Sequence, residues 1–384
     1  RDADQRRAHR HSEQQRTGDS MAVDVSILII SYNTRTLTAA CLDSLHAAPD
    51  TVSTEVLVVD NASSDDTVAV LKERYPWVRL IEQPTNLGFA RAVNIAASAA
   101  TGRYVLLLNS DTVVIDDAVG RLVAFAEKHP HHGVYGGRTL APDRALDPSS
   151  CWGAPTLWSH LCFGLGLTTA RRGSRLFDPE ALGGWQRDNV ASVGVVTGCL
   201  LLVRRDRFTQ LGGLDPRYFM YGEDVDFSLR ARAAGYDPVI TPEATVVHHS
   251  GASSSQHADK TILTLTGKTT LARTHRTGWQ RTFCLAMLAL GVALRAGLGV
   301  AATRAGRGTT GNQGSWRAVW QARARWWPGY PPYPADAPGH LTTEDSPAGL
   351  PGSMEQNGSS AQADTAEPAD AVAAAPAKAT EPAG

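Results

Sequence analysis

Cysteine is sparse and unpatterned in this chain: five in 384 residues, at positions 41, 151, 162, 199 and 284, with no CxxC pair. That usage encodes neither a disulfide framework nor a zinc site, and it fits a reducing compartment. Net charge is nearly absent as well, at -1, so nothing global points to nucleic-acid binding. The opening stretch RDADQRRAHRHSEQQRTGDS contains no apolar core of the kind a secretion signal carries. The apolar run Phe283–Leu294 (FCLAMLALGVAL) falls short of the ~20 residues that span a bilayer.

What is present is ordinary globular composition, 42% hydrophobic and 20% charged. The length suits one large α/β domain with appendages or two smaller domains. Residues 1–21 lack apolar periodicity and are expected to be disordered. Residues 331–384 are rich in Pro, Ala, Gly, Ser and acidic residues. They bury too little apolar surface to offset chain entropy, so a disordered tail is expected there.

Between these ends the pattern alternates. Ser26–Ile30 is a short apolar run, followed by a helical stretch bearing Leu37, Cys41 and Leu45. Glu55–Asp60 reads as a second strand. Ser63 and Asp66 then look like a capping box opening a helix with Val68, Leu71 and Tyr75 on one face. Val78–Ile81 makes a third strand, and Phe89–Ala100 an Ala-rich helix closed by Gly102. Tyr104–Leu108 is a fourth strand, running into Asn109-Ser110-Asp111. This β-α-β order predicts an α/β fold with a mostly parallel sheet and helices on both faces. Ligands of such sheets sit beyond the carboxyl ends of the strands, where Asp60 and Asp111 fall. Farther on, residues 145–185 are irregular, Val193–Val203 is strand-like and Asp224–Ala234 reads as a helix stopped at Gly235. Val239–Thr241 and Thr245–Val247 are short extended runs, the second leading into His248-His249.

Several of these residues have the right chemistry for a site. Asp111, just past a buried strand, is placed to hold a divalent cation against a diphosphate, or else to cap the segment after Val114. Asp60 is placed to accept an N–H of a pyrimidine, or to begin the Asn61–Asp65 turn. Tyr221-Gly222-Glu223-Asp224-Val225-Asp226 sets three carboxylates within four residues. Adjacent like charges raise one another's pKa while a helix N-terminus lowers it, so this is a place for a poised base or for simple dipole complementarity. His248 is either a metal ligand or a packed histidine.

The order of these blocks is more informative than any one of them. Ser31-Tyr32-Asn33, Val59-Asp60-Asn61-Ala62-Ser63, Asn86-Leu87-Gly88-Phe89-Ala90 and Asn109-Ser110-Asp111 resemble the nucleotide half of the family 2 glycosyltransferases. Thr197-Gly198-Cys199, Gly212-Gly213-Leu214-Asp215, Tyr218-Phe219-Met220-Tyr221-Gly222-Glu223-Asp224-Val225-Asp226 and His248 resemble their acceptor half. The resemblance covers about residues 24–255, and the YFMYGEDVDFSLR and NSD variants look most like bacterial rhamnosyltransferases of cell-wall and polysaccharide assembly.

The resemblance implies a GT-A nucleotide-diphospho-sugar transferase fold over 22–255, with a nucleotide-sugar half (22–140) and an acceptor half (141–255). It implies an inverting transfer with Asp224 as general base and Glu223 beside it on the acceptor. Ser31, Asn33, Asp60, Asn86, Gly88, Asn94, Asn109 and Asp111 would form the nucleotide-sugar site, with Asp60 on the pyrimidine and Gly88 permitting close backbone approach. Asp111 and His248 would bind Mg²⁺ or Mn²⁺, with His249 a weaker alternative. The first acidic position of the family's DxD motif is Asn109 here, which removes a negative charge near the metal. dTDP-L-rhamnose is the favoured donor and N-acetylglucosaminyl-diphospho-polyprenol the favoured acceptor. UDP-galactose, UDP-glucose and GDP-mannose are the alternative donors. A sugar nucleotidylyltransferase would need a Gly-rich, basic loop after the first strand, and Ser31-Tyr32-Asn33-Thr34 is not one. A non-catalytic sugar-binding protein of the same fold has no need of Glu223, Asp224, Asp111 and His248 together.

Residues 261–315 contain Lys268, Arg273, Arg276, Arg281, Arg295, Arg304 and Arg307 and no acidic residue. With the apolar run inside them, and Trp316, Trp320, Trp326 and Trp327 following, residues 256–330 read as a helical, membrane-associated segment. The expected location is cytoplasmic, peripherally on the inner face of the cell membrane, where a nucleotide sugar meets a lipid-linked acceptor.

Overall fold

Three of the strands are apolar on both faces, the signature of a sheet covered on both sides. They are β1 (Val25–Ser31), β2 (Thr54–Asp60) and β4 (Tyr104–Leu108), and a computed structural model sets them side by side in parallel, with β3 (Arg79–Glu82) outside β2. The structure describes residues 23–249, 257–304, 312–334 and 337–341; the expectations for 1–21 and for 342–384 lie outside them. Burial separates by face. Ile27, Ile29, Val58 and Leu106 pack on one side of the sheet, and Leu28, Leu57, Val59 and Leu107 on the other. Each such side chain contributes about 1.5–3 kcal/mol by leaving water.

Helices α1 (Arg35–Ala47), α2 (Thr67–Arg74) and α3 (Phe89–Ala99) join the parallel strands. The expected capping box is not what starts α2. Asp66 makes no capping bond, and instead Asp65 accepts from the Thr67 amide and hydroxyl. Nor does Gly102 close α3, whose C-cap is Ala100. Gly102 is needed because a Cβ there would lie 2.6 Å from the Ser26 nitrogen.

Beyond β4 the sheet stops being parallel. β5 (Thr112–Val114), α4 (Ala118–Lys128) and β6 (Val134–Leu140) follow, with Asp117 rather than Asp111 capping α4. A small hairpin of β7 (Cys151–Trp152) with β9 (Val195–Val196) stands apart, while α5 (Leu157–Gly164) and α6 (Leu167–Ala170) interrupt the stretch expected to be irregular. β8 (Ala191–Ser192), β10 (Leu200–Arg204) and β11 (Val239–His248) complete the main sheet, in the order β3-β2-β1-β4-β10-β6-β11-β5 with β8 on β11. β10 is antiparallel to both neighbours, so the parallel character is confined to the nucleotide half and to the β6–β11 pair. The two extended runs at 239–247 are one strand with an irregularity between Ile240 and Thr245.

This topology collects the motifs. Parallel register aligns Ser31 with Asp60, and β4 ends at the same edge. Because β10 runs the other way, its start lies there too, with Leu200 opposite Leu108. The end of β11 pairs His248 with Thr112.

Four further helices follow α7 (Arg205–Gln210) and α8 (Glu223–Ala233): α9 (His257–His275), α10 (Gly278–Arg304), α11 (Asn312–Gln321) and α12 (Arg323–Trp326). They share a small core of Ile262, Leu265, Leu288, Val292, Val319 and Trp326. Several expectations change here. Trp326 is fully buried and Trp316 and Trp320 pack against this core, so three of the four tryptophans serve protein packing. Arg295 donates to the Phe163 carbonyl and stacks on the Phe163 and Trp316 rings, Lys268 pairs with Glu180, and Arg276 donates to the Pro155 carbonyl. The apolar run is also only part of a longer helix. Gly278–Leu298 is 21 residues of hydropathy 1.5, long and apolar enough to cross a membrane by length and composition, with 28% of its apolar window buried in the chain. The expected tail from 331 is packed where it is described: Leu341 is buried, and the Gly339 carbonyl accepts from Asn94.

Candidate active site

The converging strand ends and α8 and α9 enclose a cleft of ≈ 660 Å³. Along the strand ends it is lined by Tyr32, Asn61, Asn86, Asn109, Ser110 and Asp111, and Glu223, Asp224 and His248 face the same space.

His248 is buried between two carboxylates. Its Nδ1 lies 2.8 Å from Asp147 Oδ2 and its Nε2 lies 3.3 Å from Asp111 Oδ1. Burial alone would lower the imidazole's pKa, but its bonds to Asp111, Asp147 and Cys199 override this and raise it to about 12. A carboxylate on the far ring nitrogen is the arrangement that fixes the tautomer and orientation of metal-ligating histidines. Asp147 sits in a loop before a short 3-10 turn and has no local pattern, which is why sequence reasoning missed it. The backbone holds the group together as well: the Asp111 carbonyl accepts from the His249 amide at 2.8 Å. His249 itself does not line the cleft.

At the head of α8, Tyr221 and Gly222 both take positive φ (67° and 109°), and the chain turns directly into Glu223. The helix docks against α9 at this point: a Cβ on Gly267 would lie 2.1 Å from the Tyr221 carbonyl oxygen, so only glycine fits. Residues 257–275 therefore belong to the catalytic body, not to a separate appendage. The three carboxylates have three environments. Asp226 is buried but accepts from His275 (2.7 Å) and Arg230 (2.7 Å), and these partners outweigh burial and hold its pKa below the usual range. Glu223 is buried with its Oε2 unpartnered, and burial followed by the Asp224 charge pushes it up to about 8. Asp224 is half-buried. Burial raises it to about 6, against amide bonds from Val225 and Gly198 that work the other way. Asp226 is thus a structural anion, while burial pushes both Glu223 and Asp224 toward the protonated form.

Asp60 is buried, its Oδ2 accepting from the Ser63 amide at 3.0 Å while its Oδ1 has no partner. One oxygen thus starts the Asn61–Asp65 turn, and the other is a buried acceptor lacking a donor. Tyr32, exposed and on the cleft, was not singled out from sequence.

Other expected contacts are placed differently. Asn94 is fully buried and off the cleft; its amide bonds Leu214 through both O and N and also the Gly339 carbonyl, so it has nothing left to offer a nucleotide. Ser31 is buried, bonded to Thr34 and Thr38. Asn33, at φ 52°, holds the 63–65 turn through its side-chain oxygen. Gly88 does permit a close backbone approach, but by protein: a Cβ there would meet the Phe219 carbonyl at 2.5 Å. Asn86 lines the cleft while accepting from Asn61 and the Gly88 amide. Asn109 donates to Cys199 Sγ at 3.4 Å, linking β4 to β10.

Residues 26–163 match the family model described as "Glycosyl transferase family 2". The N-acetylglucosaminyl-diphospho-decaprenol L-rhamnosyltransferase of Mycobacterium tuberculosis is 34% identical over 219 residues, 52% of this chain and 68% of that protein. The O-antigen biosynthesis protein RfbC of Myxococcus xanthus is 29% identical over 234 residues, 60% of this chain and 17% of that one. A solved mannosyltransferase from Pyrobaculum calidifontis, in complex with GDP-Man and Mn²⁺, overlays with a TM-score of 0.47 at 18% identity, covering 80% of this chain and 86% of that one.

Proposed function

The chain belongs to glycosyltransferase family 2, and from that premise we propose that it moves L-rhamnose from dTDP-L-rhamnose to a hydroxyl of an N-acetylglucosaminyl-diphospho-polyprenol. The name of the mycobacterial relative supports the sugar transferred and the acceptor. The observation carrying the catalytic part is the pairing, in one cleft, of a half-buried carboxylate of raised pKa with the Asp111–His248–Asp147 set.

In this reading Asp60, buried one residue before the cleft-lining Asn61, offers its unpartnered Oδ1 to the N3–H of the thymine ring, and Tyr32 covers the base. Asp224 takes the proton of the acceptor hydroxyl as that oxygen attacks the anomeric carbon in line, inverting it. Glu223, whose buried Oε2 has no partner in the protein, contacts the acceptor sugar. A carboxylate and an imidazole suit Mg²⁺ or Mn²⁺. Among the described residues no set of three or more His, Cys, Asp or Glu forms a complete metal site. Asp111 and His248 would hold the ion, His248 giving up its Nε2 proton to do so, and the ion would stabilise charge on the departing nucleoside diphosphate.

The location proposed is the cytoplasmic face of the membrane. The apolar α10 supports it, with Trp279, Leu294 and Leu298 exposed. The direct test is a panel of nucleotide sugars offered to the purified protein with a short-chain N-acetylglucosaminyl-diphospho-lipid. dTDP-L-rhamnose should release nucleoside diphosphate well above UDP-galactose, UDP-glucose and GDP-mannose. Preference for one of those three would replace the donor assignment.

A further inference from the structure

The wall of the cleft formed by α9 and α5 holds a charged cluster with no part in the chemistry above. Residues 260, 264, 268 and 272 recur at the helical interval and all line the cleft, which aligns Lys260 and Lys268 on one face of α9, and Arg276 lines the cleft just past its end. At the far end, His160, Lys268 and Arg276 come together. Lys268 is 2.6 Å from Glu180 Oε2, which neutralises that carboxylate. Arg276 gives one hydrogen bond, to the Pro155 carbonyl, and among the described residues no carboxylate lies within ion-pair distance of it. A guanidinium has five N–H donors, so most of its capacity faces the cleft. His160 is buried, and its Nδ1 lies 2.8 Å from the Thr156 carbonyl, so it carries the proton on Nδ1 and turns Nε2 elsewhere. Burial holds the His160 pKa below its ordinary value, and the Lys268 and Arg276 charges push it the same way. Asp178, the other carboxylate on this wall, accepts from the Gly173 amide.

With Lys268 neutralised by Glu180, Arg276 remains on this wall as a cation that no carboxylate of the described residues pairs. It also lies beside the apolar helix: Arg276 is followed within three residues by Trp279, 68% exposed at the start of α10. We propose that His160, Lys268 and Arg276 form an anion subsite for the diphosphate of the acceptor, with the lipid leaving along α10. This rests on the reading of the acceptor as a lipid-linked diphosphate. It assigns the acceptor's phosphates to a place separate from the donor's, which Asp111 and His248 serve.

Two measurements test it. In the first, Arg276→Gln and Arg276→Lys are compared with wild type on a short-chain N-acetylglucosaminyl-diphospho-lipid and on an uncharged alkyl N-acetylglucosaminide. Losing a charge-assisted bond to phosphate should raise KM for the diphosphate acceptor about tenfold or more in the Gln variant. The Lys variant should recover part of this, and the uncharged acceptor's KM should move far less. Equal change with both acceptors, or none with the diphosphate, overturns the subsite. In the second, inorganic pyrophosphate is titrated with chelator present while the His160 ring is followed by NMR. The His160 pKa should rise in wild type and not in Arg276→Gln. No rise in wild type, or a rise produced only by dTDP with Mn²⁺, overturns the assignment. Pyrophosphate binding without transfer to any diphosphate acceptor would instead remove the functional reading and leave the anion site standing.

Discussion

Asn94→Ala separates a structural asparagine from a ligand-binding one. The amide makes three buried bonds: to the Leu214 carbonyl at 2.7 Å, to the Gly339 carbonyl at 2.7 Å, and from the Leu214 amide at 2.9 Å. Truncation leaves both backbone groups of Leu214 without the partner they have in the buried amide. Each such group costs about 1–3 kcal/mol, so the loss should be about 3 kcal/mol. The Gly339 carbonyl is nearer a chain end that can move to solvent, so it adds less. In a domain of this size about 3 kcal/mol lowers Tm by roughly 6–10 °C. Asn94→Asp should be worse, because it points an oxygen at two carbonyls where an NH₂ stood. Differential scanning fluorimetry gives Tm, and titration with dTDP in the presence of Mg²⁺ gives nucleotide affinity. The reasoning requires a large fall in Tm with nucleotide Kd within about twofold of wild type for the folded protein, since no contact to the nucleotide is removed. An unchanged Tm with a tenfold weaker nucleotide would refute it and return Asn94 to the donor site.

Other perturbations follow from the same geometry. Asp147→Asn should weaken Mn²⁺ binding in the presence of dTDP by about 10–100-fold, because it removes the charge that orients His248; unaltered affinity by electron paramagnetic resonance would remove Asp147 from the site. Transfer should fall as pH drops through about 6, where Asp224 takes up a proton and can no longer act as base; a rate flat down to pH 4.5 would contradict this. Glu223 has a folded pKa raised to about 8 from 4.5, so its stabilising neutral form is complete at low pH and is lost as pH rises through about 8. Glu223→Gln should therefore have a higher Tm than wild type above pH 8, and a lower one there would contradict the burial argument. Leu294→Ser with Leu298→Ser, both exposed, should reduce co-sedimentation with anionic liposomes at high salt. Full retention there would show that α10 does not hold the membrane.

Much of this was legible in the sequence, for local reasons. β1, β2 and β4 are apolar runs that end in polar turns, and α8 is bounded by Gly222 and Gly235. Such strands order into a sheet whose ligands sit beyond the carboxyl ends, so the sequence alone puts Asp60 and Asp111 at that edge. What was hidden depends on distant partners. The role of Asn94 is set by residues 214 and 339, and that of His248 by Asp147. The basic stretch after 261 reads as lipid-facing in isolation, yet Arg295 and Arg276 reach back to carbonyls at 163 and 155. An amphipathic pattern shows which face is apolar, not whether protein or lipid covers it.

The most direct test of the central claim is single-turnover transfer from dTDP-L-rhamnose to the N-acetylglucosaminyl-diphospho-lipid, with Mg²⁺ present, by wild type and Asp224→Asn. The account predicts that the variant binds donor as wild type does while its transfer step slows by at least the ~10²-fold expected on losing a general base. A variant that transfers at a near-normal rate would contradict it.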